Sequence, residues 1–183
     1  GQMYPDETFT NSGETGKQKV EINRTRILRW LDLRYRTGFS EWLSHIYYDE
    51  DITALVNLVD FSGDPLVARR AVIILDLIFF DIALNSHRGV FGSTHGRSYA
   101  REKKDALAES TTDTSKLLFG TGVFSGADNM SAVCVALSER YRLPRVVGVL
   151  YRHDGVSGTP HHQRRQRYHG QPVFQHYRLL PDP

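Results

Sequence analysis

The stretch that most constrains the fold runs from Ala71 to Leu84, where twelve of fourteen residues are apolar and only Asp76 and Asp81 interrupt. It falls short of the ~20 apolar residues a membrane span needs, and two carboxylates within it would be costly in lipid. A buried helix is the expectation, and a helix that is apolar nearly all round must be covered on most sides. Its aspartates must then be hydrogen-bonded within helix packing. Asp64-Pro65 predicts where the helix begins, because Asp64 can cap it and Pro65 suits the first turn.

The rest of the chain arranges itself around this segment. Residues 1–17 read as an irregular lead-in, and no charged stretch there runs into an apolar leader. From about Lys17 to Tyr35 the positions Val20, Ile27, Leu28, Trp30, Leu31 and Leu33 recur mostly at helical spacing, and Gly38 ends that helix. A second helix is predicted from near Tyr47 to Phe61, with Ile52, Leu55, Val56 and Val59 on one stripe. After a loop from Asn85 to Tyr99, a more polar helix is expected over Glu102 to Phe119. Another, opened by a capping-box-like Ser125-x-x-Asp128, runs to about Tyr141, and Leu143-Pro144 opens a last short one near Arg145 to Tyr151. No series of alternating strands competes with this pattern. The fold class is all-α, built of antiparallel helical hairpins, since the connection between the second and third helices is only a few residues long. Covering the third helix completely is hard in one isolated layer, which points to partners beyond these residues.

Composition excludes more than it suggests. Hydrophobic residues at 40% and charged residues at 24% fit a globular chain of 183 residues and argue against disorder throughout. A net charge of +2 is too near balance to imply nucleic acid or an anionic membrane surface. The single Cys134 excludes an internal disulfide framework and a Cys-based zinc cluster, and it is expected as a buried small hydrophobe between two valines. No cofactor motif is present: the glycine spacing at 89–96 fits neither a dinucleotide fingerprint nor a phosphate loop, and no strand precedes it. Compartment is unmarked.

The domain reading is a helical domain over residues 1–150 followed by an irregular tail at 151–183. That tail holds five of the eight histidines and four of the seven prolines, and carries +3, leaving −1 for residues 1–150. With no apolar period it cannot offset its ordering entropy, so a disordered tail is expected, or one translated out of frame. His161-His162-Gln-Arg-Arg-Gln-Arg-Tyr-His169 invites metal binding, but its spacing matches no zinc signature, and no metal ligand is assigned.

Two loops carry the chemistry. The first, Gly38 to Asp51, packs Glu41, Trp42, Ser44, His45, Tyr47 and Tyr48 into eight positions. The second, Ser86 to Tyr99, holds His87, Arg88, His95, Arg97 and Tyr99 among Gly89, Gly92 and Gly96, whose missing side chains permit close backbone approach to a ligand. Antiparallel second and third helices place both loops at one end, so the two polar segments should converge on one rim. There Trp42, Ser44, Tyr47, Tyr48, His87 and Arg88 are candidates for binding a sugar, and the arginines can grip a carboxylate bidentately. His95 or Tyr99 can take or return a proton, and Glu41 can serve as acid or base if its pKa is moved. These parts suit cleavage of an acidic polysaccharide by proton abstraction beside a carboxylate. They equally suit hydrolysis with Glu41 as acid, which needs a second carboxylate; Asp49, Glu50 and Asp51 are available but are better explained by the dipole at the start of a helix. Each side chain also has a purely structural alternative: histidines at helix ends, arginines capping carbonyls or pairing with Asp81, tyrosines packed with satisfied hydroxyls.

The run GFSEW-x-S-x-x-YY-x-x-D, followed by LVNLVDFSGD, a helix containing LDL, SHRGVFGSTHGRSY and TTDTSKLLFGTGVFSGADNMS, resembles a family of large uncharacterised bacterial proteins associated with α/α-toroid folds. The resemblance extends from about Gln2 to Val147 and stops before the tail. It implies that this chain is a fragment of an incomplete helical ring like those of polysaccharide lyases, with the remainder of a longer parent chain as its partner. It also implies His95 and Tyr99 as acid and base, Arg97 neutralising a uronate, and Tyr47 or Tyr48 opposite. The expectation is therefore a carbohydrate-active enzyme fragment, lyase or hydrolase, acting on a polysaccharide. The alternative is a non-catalytic helical scaffold that grips a glycan or a protein with the same rim.

Overall fold

The structure is a computed structural model and describes residues 1–92, 94–126 and 129–154. The expected capping residue Asp128, and all of the expected tail beyond Asp154, lie outside the described residues. The fold is all-α apart from one short hairpin. In chain order it comprises α1 (Gly16–Thr37), α2 (His45–Phe61), α3 (Pro65–Asn85), β1 (Ser86–His87), β2 (Val90–Phe91), α4 (Ala100–Lys104), a 3-10 turn (Ala106–Ala108), α5 (Thr112–Phe119), α6 (Ser131–Leu137) and α7 (Arg145–Asp154).

The first three helices start and stop where local chemistry says they should. Thr15 opens α1 with a reciprocal capping box: its hydroxyl accepts from the Gln18 N–H while the Gln18 side chain accepts from the Thr15 N–H. Gly38 closes it with φ of 68°, donating its N–H to the Arg34 carbonyl. Ser44 caps α2 and Asp64 caps α3, the latter accepting from the N–H groups of Leu66 and Val67 ahead of Pro65.

α3 is the central element. It packs against α2, α1 and α7, burying Val67, Ala71, Ile74, Leu75, Ile78, Phe79, Ile82 and Ala83. These residues are covered by the chain's own helices. Asp76 accepts the Tyr141 hydroxyl at 3.0 Å and Asp81 the Tyr48 hydroxyl at 3.0 Å, so both aspartates are hydrogen-bonded within the packing as expected.

Beyond α3 the observed elements depart from those expected. The loop after Asn85 opens with a two-stranded antiparallel hairpin, registering Ser86 with Phe91 and His87 with Val90. Its two-residue turn places Arg88 at φ 52° and Gly89 at φ 86°, the positive angles such tight hairpin turns require. The single helix expected from Glu102 to Phe119 is broken into α4, the 3-10 turn and α5. Asp105 caps the turn by accepting from the Leu107 N–H, and consecutive hydroxyl residues at 110–112 favour a new start over a helix interior. α6 begins at Ser131 rather than near Ser125, whose N–H is held by Asp113 at 2.7 Å. Its first N–H groups, from Met130 and Ser131, both donate to the Asp49 carboxylate at 2.9 Å. α7 starts at Arg145 as expected and runs to Asp154, slightly beyond the end expected near Tyr151. Cys134 is half-buried, less enclosed than expected. No helix among the described residues is long and apolar enough to cross a membrane.

Candidate functional site

Residues 62–64 join α2 to α3, and α3 returns along α2 so closely that Tyr48, near the start of α2, meets Asp81, near the end of α3. The segment before α2 and the segment after α3 therefore emerge together. They are joined by three direct links: the Gly96 N–H donates to the Trp42 carbonyl at 2.6 Å, His95 Nδ1–H donates to the Leu43 carbonyl at 2.8 Å, and Arg97 grips both oxygens of Glu41 at 2.8 and 2.9 Å. Convergence of the two loops on one rim is what the sequence led us to expect.

Gly96 is where the backbones come closest. A Cβ there would lie 2.7 Å from the Trp42 nitrogen and 2.9 Å from the Glu41 carbonyl carbon, so only glycine fits. Its role is to dock one loop on the other, and the close approach expected toward a ligand is instead made toward protein backbone. Opposite it, Leu43 adopts φ of 49°, an unusual angle for a residue other than glycine, with its side chain buried in the core and its carbonyl turned to His95.

The candidate side chains divide by position. Ser44 is fully buried as the cap of α2, and Tyr48 is buried with its hydroxyl on Asp81, so neither reaches the surface where sugar contacts were expected. Burial, then the Asp81 carboxylate, pushes the Tyr48 phenol well above its ordinary range. Tyr47 is half-buried with its ring under the Arg97 guanidinium, 5.1 Å away. Trp42, at 60% exposure, and Tyr99, at 56%, present flat aromatic faces to solvent. His87 and Arg88 are exposed on the hairpin and do not line the cleft described below. Glu41 is held below the usual carboxylate range by Arg97, which donates two hydrogen bonds to it, so it stays ionised and is unsuited to be a general acid. Arg97 is equally committed: its remaining Nη1–H donates to the Tyr99 hydroxyl oxygen at 3.1 Å. Of the structural alternatives for the arginines, pairing with Asp81 is not the one Arg97 adopts: it bonds Glu41 and Tyr99, while Asp81 accepts from Tyr48. Asp49, one of the acids ascribed to the helix dipole, is instead buried beneath α6 as its cap.

Between the second loop and the α4–α5 segment lies a cleft of about 790 Å³, lined among others by Phe91, Thr94, His95, Tyr99, Lys103 and Glu109. A neighbouring hollow of about 500 Å³ shares Tyr99 and Glu102 with it. No family model, curated protein or solved structure matches this chain. The chemistry of the cleft therefore has to be read from its own groups.

His95 donates from Nδ1, which leaves Nε2 of the neutral ring with a free lone pair. Its ring stands edge-on to that of His45, with centroids 5.0 Å apart. His45 has the opposite tautomer: its Nδ1 accepts from the Ser110 N–H at 3.1 Å, so Nε2 carries the proton and finds no partner among the described residues. Burial first, and the cationic form of His95 second, lower the His45 pKa to about 4, so it is neutral near pH 7. Its 3.8 Å approach to Glu109 is consequently not an ion pair. Glu109 is only 3% exposed, and burial raises its carboxyl to about 7 against the pull of the Thr111 and Thr112 hydroxyls. Lys103 is exposed and makes no ion pair among the described residues. No cluster of three or more metal-ligating side chains occurs among the described residues.

The sequence reading missed Glu109, Glu102 and Lys103, because a continuous polar helix over this segment explains such charges as its solvated face and gives no reason to turn Glu109 inward. The available signal was Ser110-Thr111-Thr112, three hydroxyl residues in a row, which breaks the helix and turns Glu109 inward.

Proposed function

We propose that the cleft belongs to a carbohydrate-active enzyme that cleaves an acidic polysaccharide by β-elimination, with His95 as the base. The observation that carries this reading is the tautomer of His95: its Nδ1–H is fixed on the Leu43 carbonyl, and the ring lines the cleft with a basic nitrogen to spare. Exposed Trp42 and Tyr99 suit the faces of sugar rings, and the Tyr99 hydroxyl is oriented by Arg97. With Arg97 bound to Glu41, the cation available to neutralise a uronate carboxylate is Lys103. The antiparallel α2–α3 hairpin is the kind of unit from which α/α toroids are built, and we take the chain as part of such a ring, completed by further hairpins of a longer parent.

The test is to incubate the protein with a panel of uronic-acid polysaccharides and follow the ultraviolet absorbance of unsaturated chain ends. His95→Ala is expected to reduce the rate by about 100-fold or more, the usual contribution of a positioned base. An unchanged rate removes His95 from the chemistry. One observation favours a second reading: Glu41 and Arg97 satisfy each other and stiffen the rim, as in a binding surface. A glycan-binding scaffold would retain uronans on an affinity column without cleaving them, and Trp42→Ala would abolish the retention.

A further inference from the structure

We propose that Glu109 is the proton donor of this cleft, acting on the departing sugar oxygen while His95 acts on the carbon acid; the assignment rests on the elimination reading above. A base alone leaves an elimination half-equipped, because the sugar oxygen that leaves is a poor leaving group until it is protonated. The acid nominated from sequence, Glu41, is tied at both oxygens to Arg97 and cannot hold a proton. Glu109 has the complementary surroundings. It lines the same cleft as His95 and Tyr99, yet is almost wholly removed from bulk solvent.

No cation faces Glu109 closely. The nearest basic nitrogen, His45 Nδ1 at 3.8 Å, already accepts the Ser110 N–H and is neutral. The Glu109 oxygens accept instead from uncharged donors: the hydroxyls of Thr111 at 2.6 Å and Thr112 at 3.2 Å, and the Thr111 N–H. Burial with no positive partner is the environment in which a carboxylic acid keeps its proton near neutral pH, and here it outweighs these hydrogen bonds, which by themselves favour the carboxylate. The upward shift to about 7 agrees with this. Glu109 and His95 thus form a pair whose surroundings suit them to opposite halves of a proton transfer.

The step balances as follows. His95 Nε2 takes the proton from the carbon next to the uronate carboxylate, and the released electron pair forms the new carbon–carbon double bond. The bond from the adjacent carbon to the glycosidic oxygen breaks, and that oxygen takes the proton of Glu109. The products are an unsaturated uronate end and a free hydroxyl end, leaving His95 as imidazolium and Glu109 as carboxylate. After product release His95 returns a proton to solvent and Glu109 regains one, so no oxidant or co-reactant is required.

The experiment compares two uronate substrates, one with a sugar as leaving group and one with a nitrophenolate, which departs without a proton. Glu109→Gln keeps the shape and one acceptor oxygen. It is expected to lose about 100-fold or more in kcat/KM on the sugar substrate and to stay within a few-fold of the parent protein on the nitrophenyl one. His95→Ala is expected to lose activity on both. A Glu109→Gln variant unimpaired on the sugar substrate, or equally impaired on both, overturns the assignment of Glu109 and leaves the elimination reading standing. A parent protein inactive on both substrates overturns the elimination reading, and the assignment falls with it. Should Glu109→Gln fail to fold, Glu109→Asp withdraws the acid by one methylene and is expected to show the same selective loss; the same two overturning results apply.

Discussion

Asp81 lies in the most apolar helix of the chain, accepts the Tyr48 hydroxyl, and has its pKa raised to about 6, chiefly by burial and in spite of that hydrogen bond. A carboxyl whose folded pKa is raised holds its proton longer than the unfolded chain does, so its presence costs stability as pH rises from the ordinary aspartate range through about 6. Asp81→Asn keeps an oxygen to accept from Tyr48 and removes that charge. It is expected to stabilise the fold by about 1–3 kcal/mol at pH 8 and by close to nothing at pH 4. Urea midpoints at the two pH values check this, and an equal effect at both would show that Asp81 is not the titrating group. That Asp76 and Asp81 must find donors follows from the sequence alone. Which donors they find does not, because Tyr48 and Tyr141 are 33 and 65 residues away along the chain.

At the scale of elements, α1, α2 and α3 were readable from the spacing of their apolar residues, with Gly38 at one end and Asp64-Pro65 at one start; the caps Thr15 and Ser44, which fix the other two starts, went unread. The short helices after α3 were not readable, because their boundaries are set by distant partners. α6 is the clearest instance. Its start is fixed by Asp49, a residue of α2, which accepts from the Met130 and Ser131 N–H groups and from the Ser131 hydroxyl at 2.5 Å. Nothing local to residues 125–131 announces that interaction. Asp49→Ala should remove a cap and leave buried donors unsatisfied together, lowering stability by about 2–4 kcal/mol. Denaturant unfolding followed by far-ultraviolet circular dichroism measures it, and a loss below about 0.5 kcal/mol, the level of an ordinary surface substitution, would contradict the role given to Asp49.

For the molecule as a whole, the meeting of the two loops was legible from helix direction alone, whereas the depth of the cleft was not. Its far wall, with Glu102, Lys103 and Glu109, comes from the broken segment that periodicity read as one helix. The candidate groups contributed by α2's approach and α3's exit share no local scaffold. They are held against each other by Gly96 on Trp42, His95 on Leu43 and Arg97 on Glu41, links spanning more than fifty positions. Activity, or uronan retention, should therefore disappear at the same urea concentration as helical ellipticity; a site lost well before the helices would mean that the rim is an independently melting loop. The hairpin of α2 and α3 acts as a clasp: when it opens, His95 and Trp42 are carried to separate ends of a loose strand, and no half-assembled rim remains.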